Sequence, residues 1–272
     1  MHLLPLIPQP SRPNLFSVAW IRWIRESIST LLPVAGVGGD VAAARLANQQ
    51  GVPGVQAAAS MVVDITVAAA AQIVFVIGGV ALLAARSSDR AIVAALLIGV
   101  AIFAAAVAAF VLIQHRSMFM ALAGLARRVA PEKWLSSLTG SASAIDDAVV
   151  ATYRRGFGFL LSNLLRLAGL VVGAGEIWLV MYFLMRPFSV TDALILESLS
   201  SGVRAAAFMV PGALGVFEGG LVAFGALFGL PADISLAISL AKRVRELALG
   251  LPGLAVWQWV EGHHLLRRGA RP

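Results

Sequence analysis

The chain contains no cysteine, and charged residues make up 13% of its 272 positions. Without cysteine the protein has no disulfide framework, no thiolate metal site and no cysteine nucleophile. A soluble domain carries about 25% charged residues, so this composition argues against one. The sequence also lacks a phosphate-binding loop and a dinucleotide fingerprint, and its four histidines lie near chain ends or in a predicted loop. We therefore expect no metal, no cofactor and no ATP-driven pump.

Hydrophobic residues account for 59% of the chain, and the stretches Ile65–Ala85 and Ala91–Ile113 contain no charged residue. Each stretch is long enough to cross a hydrocarbon core of about 30 Å as an α-helix. The net charge of +7 would suggest a nucleic-acid partner for a soluble chain. Here the basic residues flank or interrupt apolar segments, so we expect contact with membrane lipids and no nucleic acid. The sequence predicts an all-α polytopic integral membrane protein.

The predicted helices follow from apolar periodicity and from proline and glycine breaks. They are Leu15–Leu32, Asp40–Gln50, Gln56–Ala85, Ala91–Ile113, Phe157–Met185, Val190–Met209, Glu218–Phe228 and Ala232–Val260. The region Gln114–Gly156 is polar and rich in arginine, and both of its halves are amphipathic. This composition predicts a cytoplasmic segment.

Two glycine-rich stretches repeat at a constant distance. Residues 33–40 read PVAGVGGD and residues 211–218 read PGALGVFE, so each runs from a proline to a carboxylate. A second glycine–proline break follows each stretch, at 51–53 and 229–231, and each of these positions differs from its counterpart by 178. Glycine and proline prevent a continuous helix through either stretch. The expected structural breaks are Pro33, Gly36, Gly38, Gly39, Pro211, Gly212 and Gly215.

The basic residues also predict how the repeats lie in the membrane. The positive-inside rule places residues 114–156 and the basic C-terminal tail in the cytoplasm, which leaves three crossings between the two broken units. An odd number of crossings inverts one unit relative to the other. We therefore predict a single membrane domain over residues 1–272, with a first repeat at 15–85 and an inverted second repeat at 190–260. Inverted-topology repeats with broken, re-entrant helices are a transporter architecture whose site lies between the repeats.

Two matched carboxylates, Asp40 and Glu218, stand at the ends of the repeated stretches. One interpretation is that each lies in the first turn of a short helix and offsets its positive dipole end. The other is that each binds a proton, a cation or an amine beside the broken backbone. The two are compatible, since a capping residue that faces a cavity can also contact a ligand.

The last predicted span carries four charged residues within five positions, Lys242, Arg243, Arg245 and Glu246. Arg243 and Glu246 share a helix face with two glycines, so an internal ion pair and close helix packing would explain part of the pattern. Charge inside the membrane costs several kcal/mol and usually faces a cavity, which favours a functional role. Weaker candidates, each also explicable as half of an ion pair, are Arg45, Asp64, Arg166, Glu176, Glu197 and Arg204.

The first helix carries Arg22, Arg25 and Glu26 beside two tryptophans. Arginine and tryptophan favour the membrane–water interface, so these side chains are interpreted as anchors. Contact with a lipid head group is the alternative.

Three segments carry a resemblance to a known family: LFSVAWIRWIRESISTLLPVAGVGGDVAAARL, PGALGVFEGGLVAFGALFGLP and AKRVRELALGLPGLAVWQ. Over about Leu15 to Gly262 the chain resembles the lysylphosphatidylglycerol synthase transmembrane-region family, and most of all its hopanoid-biosynthesis-associated branch. The resemblance implies lipid flipping, with functional residues inside the matching motifs. These are Asp40, Arg45 and Asp64 in the first block, and Pro211, Gly212, Gly215, Glu218 and Arg243 in the second. The sequence shows no counterpart of the synthases' aminoacyl-transferase domain, so we expect no synthase activity. The resemblance also implies an N-terminal transmembrane hairpin before the first block, which we expect to be missing or truncated.

We accordingly expect a lipid transporter of the bacterial cytoplasmic membrane, multi-pass with a cytoplasmic C-terminus, which handles hopanoid-related, aminoacylated or anionic lipids. In this hypothesis Lys242, Arg243, Arg166 and Arg204 contact the phosphate or polar head, and Glu246 lies among them. The expected partners are membrane lipids and lipid-biosynthesis enzymes. The alternatives are an integral-membrane enzyme acting on a lipid head group, and a non-transporting scaffold that docks such enzymes on residues 114–156.

Overall fold

A computed structural model of the protein describes residues 14–32, 37–86, 90–115, 144–151, 156–207 and 210–269. Within these ranges every regular element is a helix, which confirms the all-α prediction. The elements are α1 (Leu15–Leu31), α2 (Val37–Gln49), α3 (Gly54–Ala84), α4 (Arg90–His115), α5 (Gly156–Phe183), α6 (Val190–Ala206), α7 (Val216–Ala226) and α8 (Ala232–Gly269). A short helical segment spans residues 144–151, and one 3₁₀ turn spans Pro211–Ala213.

Three helices are long and apolar enough to cross a membrane: Gly54–Ala84, Ala91–Ala109 and Phe157–Phe183. They confirm a polytopic membrane protein. The last helix, α8, is longer at 38 residues. It is not among the three, and it carries the charged positions that the sequence placed in the last span.

Both predicted breaks separate helices. A side-chain cap from Asn14 begins α1, which ends at Leu31, and α2 starts six residues later. In the second unit α6 ends at Ala206, and the turn before α7 places Gly212 at φ 61° and Gly215 at φ 78°. Glycine adopts this left-handed backbone without a steric penalty, so these two glycines shape the turn between α6 and α7. Pro33 and Gly36 lie outside the described residues.

Gly38 and Gly39 do not break the chain as the sequence suggested, because they lie in the first turn of α2. A β-carbon at Gly39 would collide with the Ser29 side chain and the Arg25 carbonyl of α1. Gly39 is therefore small because two helices approach closely there. The prediction of a backbone break at Gly38 and Gly39 is wrong.

The two units pack on each other through two equivalent helix pairs, in each of which the helix before one break contacts the helix after the other. Helix α1, which precedes the first break, packs on α8, which follows the second; helix α3, which follows the first break, packs on α6, which precedes the second. Glycines permit both contacts: a β-carbon at Gly250 of α8 would lie 2.6 Å from Leu31 of α1, and one at Gly79 of α3 would collide with Ser198 of α6. Such exchange is what a two-fold relation between the units produces. Their inversion across the membrane stays a prediction.

Each short helix is held by a separate apolar cluster. Ile24 and Ile28 of α1 pack against Leu46 of α2, whereas Phe217 and Leu221 of α7 pack against α5, α6 and α8. The helical segment 144–151 packs against α3. The rest of the predicted cytoplasmic segment, at 116–143 and 152–155, lies outside the described residues, so its predicted role as a docking surface stays a prediction.

Candidate functional site

Arg25 of α1 joins three helices of the first unit. Its Nε donates to Asp40 Oδ1 of α2 at 2.5 Å, and its Nη1 donates to Asp64 Oδ2 of α3 at 2.7 Å. The side chains of all three residues are largely buried. An arginine fork matches this task, because its donors can hold two carboxylates at once. Arg25 thus lies in an ion network inside the protein, and the interpretation as an interfacial anchor does not describe it.

Two further arginines approach Asp64. Arg22 Nη1 of α1 lies 3.4 Å from Asp64 Oδ1, and Arg166 Nη1 of α5 lies 3.5 Å from Asp64 Oδ2. The Arg166 nitrogen is buried and forms no hydrogen bond to any described residue. A buried donor without an acceptor is costly, so this guanidinium retains capacity for a ligand.

In the second unit Glu218 performs the predicted capping role. Its Oε2 accepts from the Gly215 backbone N–H at 2.7 Å, which forms one half of a capping box at the start of α7. Its Oε1 accepts from Arg243 Nη2 of α8 at 2.8 Å. Asp40 likewise lies in the first turn of its helix. The capping interpretation holds for Glu218 by geometry and for Asp40 by position.

Arg243 ties the second break to α8. Its Nη2 also donates to the Gly212 carbonyl at 2.9 Å, and its Nη1 donates to Glu246 Oε2 at 3.1 Å. Arg204 Nη2 of α6 lies 2.5 Å from Glu246 Oε1. The Arg204 guanidinium also lies over the Phe217 ring, with its Cζ 4.9 Å from the ring centroid. The internal pair of Arg243 and Glu246 expected from the sequence is therefore present, as part of a larger network.

Lys242 is the most buried cation of this region, with 4% of its side chain exposed. Its Nζ lies 2.8 Å from Glu197 Oε2 of α6 and 3.4 Å from Glu176 Oε2 of α5. Arg245 Nε donates to the other Glu176 oxygen at 2.9 Å. A β-carbon at Gly173 would lie 2.9 Å from Glu197, so this glycine makes room for the carboxylate. The buried lysine is satisfied because carboxylates reach it from two helices.

A cavity of about 590 Å³ lies between the two units, and we name it the polar chamber. Its walls come from α1, α3, α5, α6, the second break and α8. Its basic side chains are Arg166, Arg204, Lys242 and Arg245, and its acidic ones are Glu26, Glu197 and Glu246. The chamber thus has an excess of cationic groups.

A second cavity of about 810 Å³, which we name the apolar slot, is lined by residues of α1, α3 and α5. Most of its lining is apolar: Val18, Ala19, Val67, Leu165, Gly169 and Leu170. Helices α1 and α5 do not form a packed interface with each other within the described chain. Four residues, Trp23, Glu26, Arg166 and Leu170, line both cavities, so the two spaces adjoin.

The structure separates the predicted site residues into two groups. Those that line a cavity are Asp64, Arg166, Glu197, Arg204, Lys242 and Glu246. Asp40, Glu218 and Arg243 are not on the walls of these two cavities and hold the broken helices instead. Arg45 pairs with Glu261 of α8 and is also away from them. Glu176 stands behind the chamber, paired with Lys242.

Sequence reasoning named Glu26, beside Arg22 and Arg25, as an anchor or a head-group contact, and the structure places it on the lining of both cavities. It missed Gln72 of α3, which donates to Ser201 of α6 at 3.0 Å across the chamber wall. Gln72 is polar inside an otherwise apolar span, which is a signal that could have identified it. The described residues contain no cluster of three or more histidine and acidic side chains suited to a metal ion.

These features define a polytopic α-helical membrane protein whose two broken-helix units enclose a charged interior. The chain belongs to the lysylphosphatidylglycerol synthase transmembrane-region family, whose model matches residues 5–253. Comparisons with curated proteins and with solved structures found no match. Membership identifies a membrane protein involved in lipid handling.

Proposed function

We propose that the protein is a flippase-type lipid transporter of the bacterial cytoplasmic membrane, with its C-terminus in the cytoplasm. The observation that carries this proposal is the polar chamber, which lies between the two broken units and is lined by four cationic side chains. Transporters with broken helices bind their substrate at such an interface. An anionic lipid head group suits this lining by charge.

The ion pairs of the chamber explain how it can exist without a substrate. Arg204 is paired with Glu246, Lys242 with Glu197, and Arg245 with Glu176. A head-group phosphate would compete with these carboxylates for the cations. Since each pair joins different helices, such competition would loosen the contacts of α8 with α5 and α6. Substrate binding would thereby be linked to movement of one unit against the other.

We propose roles for individual residues that fit the geometry of the chamber. Arg204, Lys242 and Arg166 line the chamber and are the proposed contacts of the head group. Arg243 and Glu218 are positioning residues, because their polar atoms are engaged at the second break. Asp40 has the corresponding position in the first unit. The proposed lipid is hopanoid-related, aminoacylated or anionic, and transport assays with each class would distinguish them.

Arg204→Gln tests the proposal with little risk to the fold, because Glu246 keeps Arg243 as its partner. In vesicles containing the purified protein, we expect this change to slow flipping of fluorescent phosphatidylglycerol about tenfold, since a charge-assisted hydrogen bond contributes about 1.5–3 kcal/mol. The matched control is Arg186→Gln, at an exposed position outside both cavities. Flipping no faster than in protein-free vesicles, or equal loss in both variants, would contradict the proposal.

Transport, and not chemical conversion, is the proposed activity. Incubation of the purified protein with the same lipids, followed by mass spectrometry, distinguishes the two. A new lipid product that requires the protein would favour the enzyme hypothesis. Unchanged lipid masses together with protein-dependent flipping would support transport.

A further inference from the structure

We propose that the apolar slot between α1 and α5 is an acyl-chain site, in which a phospholipid lies with its phosphate at Arg166 and its chain along the slot. This inference rests on the proposed function and names the route by which the lipid reaches the polar chamber. It assigns to the slot a ligand of one class, a phosphodiester that carries acyl chains.

The shape of the slot suits a lipid chain. Its walls are mostly apolar residues of α1, α3 and α5, and α1 and α5 leave a gap because they do not form a packed interface. On the outer face of α5, Leu164 and Leu165 are more than half exposed, so the mouth of the slot adjoins a surface that faces membrane lipid. A chain can therefore enter from the side without crossing a polar barrier.

The inner end of the slot carries the polar groups. Arg166 lines both cavities, and its Nη1 is buried without a hydrogen-bond acceptor. Glu26 also lines both cavities and forms no ion pair within the described residues. Asp64 is shared by Arg22, Arg25 and Arg166, and its Oδ2 lies 3.5 Å from Arg166 Nη1, an ion-pair contact without a hydrogen bond. The junction thus offers an arginine donor that forms no hydrogen bond to a described residue and one carboxylate, Glu26, that forms no ion pair with one.

A phospholipid satisfies both groups at its own polar–apolar boundary. Its phosphate supplies a hydrogen-bond acceptor for Arg166 Nη1, which forms only a 3.5 Å ion-pair contact with Asp64, and a charge-assisted bond of this type is among the stronger ones in proteins. Hydroxyl or ammonium donors of the head group, beyond the phosphate, can reach Glu26. The chains then remain in the slot while the head group extends into the chamber. A mostly apolar slot with Arg166 at its inner end suits a lipid, which has both acyl chains and a phosphate, better than a free anion, which has no apolar part.

Gly169 allows the slot to be closed without disturbing the fold. It lines the slot, and a β-carbon there would meet nothing within 4 Å. Gly175 is a matched control on the same helix, because a β-carbon there also meets nothing within 4 Å and the residue lines neither cavity. Gly169→Trp fills the slot, whereas Gly175→Trp adds the same side chain to an exposed surface.

The experiment uses the purified full chain in nanodiscs and phosphatidylglycerol with a photoreactive acyl chain. Cross-linked peptides should contain slot residues such as Ala19 and Val67. Gly169→Trp should weaken cross-linking about tenfold, because losing even two buried methylene groups costs that much in affinity. Gly175→Trp should leave it unchanged. Arg166→Gln should weaken it similarly, and phosphatidylethanolamine should compete if a phosphodiester is the shared requirement.

The outcomes separate this site from the proposed transport. Slot cross-links that Gly169→Trp abolishes, in a protein that does not flip lipid, would support the site and overturn the transport proposal. Protein-dependent flipping in which Gly169→Trp and Gly175→Trp behave alike would support transport and overturn the slot. Competition by free glycerophosphoglycerol as strong as that by the intact lipid would also overturn it, because the chain would then contribute nothing.

Discussion

In both broken units an arginine holds the carboxylate of the short helix, but the arginine comes from a different flanking helix in each. In the first unit the carboxylate of the short helix, Asp40, is held by Arg25 from the helix before the break. In the second unit the corresponding Glu218 is held by Arg243 from the helix after the break. The carboxylate is fixed at the start of the short helix, but its cation can come from either flanking helix because both pass beside it. The two-fold relation is therefore a property of the helices and not of the ion pairs.

The surroundings of the two arginines differ as well. In the first unit three arginines converge on Asp64, and one of them, Arg166, keeps an unbonded nitrogen. In the second unit Glu246 is shared by Arg204 and Arg243, each within hydrogen-bonding distance. Ligand-binding capacity is thus left on the side of the first network, where the slot meets the chamber.

Of the substitutions proposed for the two units, removal of the central arginine of a unit should lower the free energy of unfolding most. Arg25→Met leaves the largely buried Asp40 and Asp64 without their arginine fork, and we expect the free energy of unfolding to fall by about 3–5 kcal/mol. Arg243→Met should cost less, because Glu246 keeps Arg204 as its partner and the Glu218 side chain is 24% exposed. Unfolding of the detergent-solubilised protein by sodium dodecyl sulfate, followed by tryptophan fluorescence, measures this loss. Arg22→Met is the control, since its side chain is 50% exposed and 3.4 Å from its partner. It should cost less than about 1 kcal/mol.

A second substitution sharpens this comparison. Adding Asp40→Leu to Arg25→Met removes the orphaned carboxylate and should restore a large part of the stability, because breaking a buried pair costs more than replacing it by apolar groups. Equal stability of Arg22→Met and Arg25→Met would refute the assignment of Arg25 as the centre of the first network.

Substitution of the glycines at the α3–α6 and α1–α8 contacts should give the next largest loss of stability. Gly79→Leu places a side chain where Ser198 lies, and we expect a loss of about 1–3 kcal/mol from overpacking. Gly253→Leu should have a similar effect at the other contact, where a β-carbon would collide with Ser27. Gly78→Leu is the control, because a β-carbon there meets nothing within 4 Å. The same unfolding assay applies; a tolerated Gly79→Leu would break the proposed equivalence of the two contacts.

Substitution of a glycine in the turn of the second break should give the smallest loss of stability. Gly212→Ala forces a residue with a β-carbon into a left-handed conformation at φ 61°, which costs about 1–2 kcal/mol. Gly219→Ala, inside α7 with open space around it, should be neutral or stabilising by up to about 1 kcal/mol. Thermal unfolding in detergent can rank the two variants. The opposite ranking would show that the turn does not depend on glycine at 212.

The sequence predicted those features that depend on local chemistry. Gly212 and Gly215 shape the turn before α7 because of their backbone freedom, and Glu218 caps α7 because of its position in the first turn. The pair of Arg243 and Glu246 followed from helical spacing. These features require only neighbours along the chain.

Features that depend on packing between helices could not be predicted. Arg25 contacts carboxylates 15 and 39 residues away, so its partners are fixed only when three helices assemble. Gly39 looked like a break, but its small size serves the contact of α2 with α1. Glu26 lines two cavities whose walls come from several helices, so these cavities form only when the helices assemble.

The central claim is that two inverted units enclose the lipid path, and the sidedness of equivalent positions tests it most directly. Gly54 begins α3 and Ala232 begins α8, both are exposed, and they differ by the repeat distance of 178 residues. Because the chain has no cysteine, Gly54→Cys and Ala232→Cys give clean single sites for a membrane-impermeant thiol reagent. In intact cells we predict labelling of Ala232→Cys alone, and in lysed cells labelling of both. Labelling of both, or of neither, in intact cells would contradict the inverted arrangement.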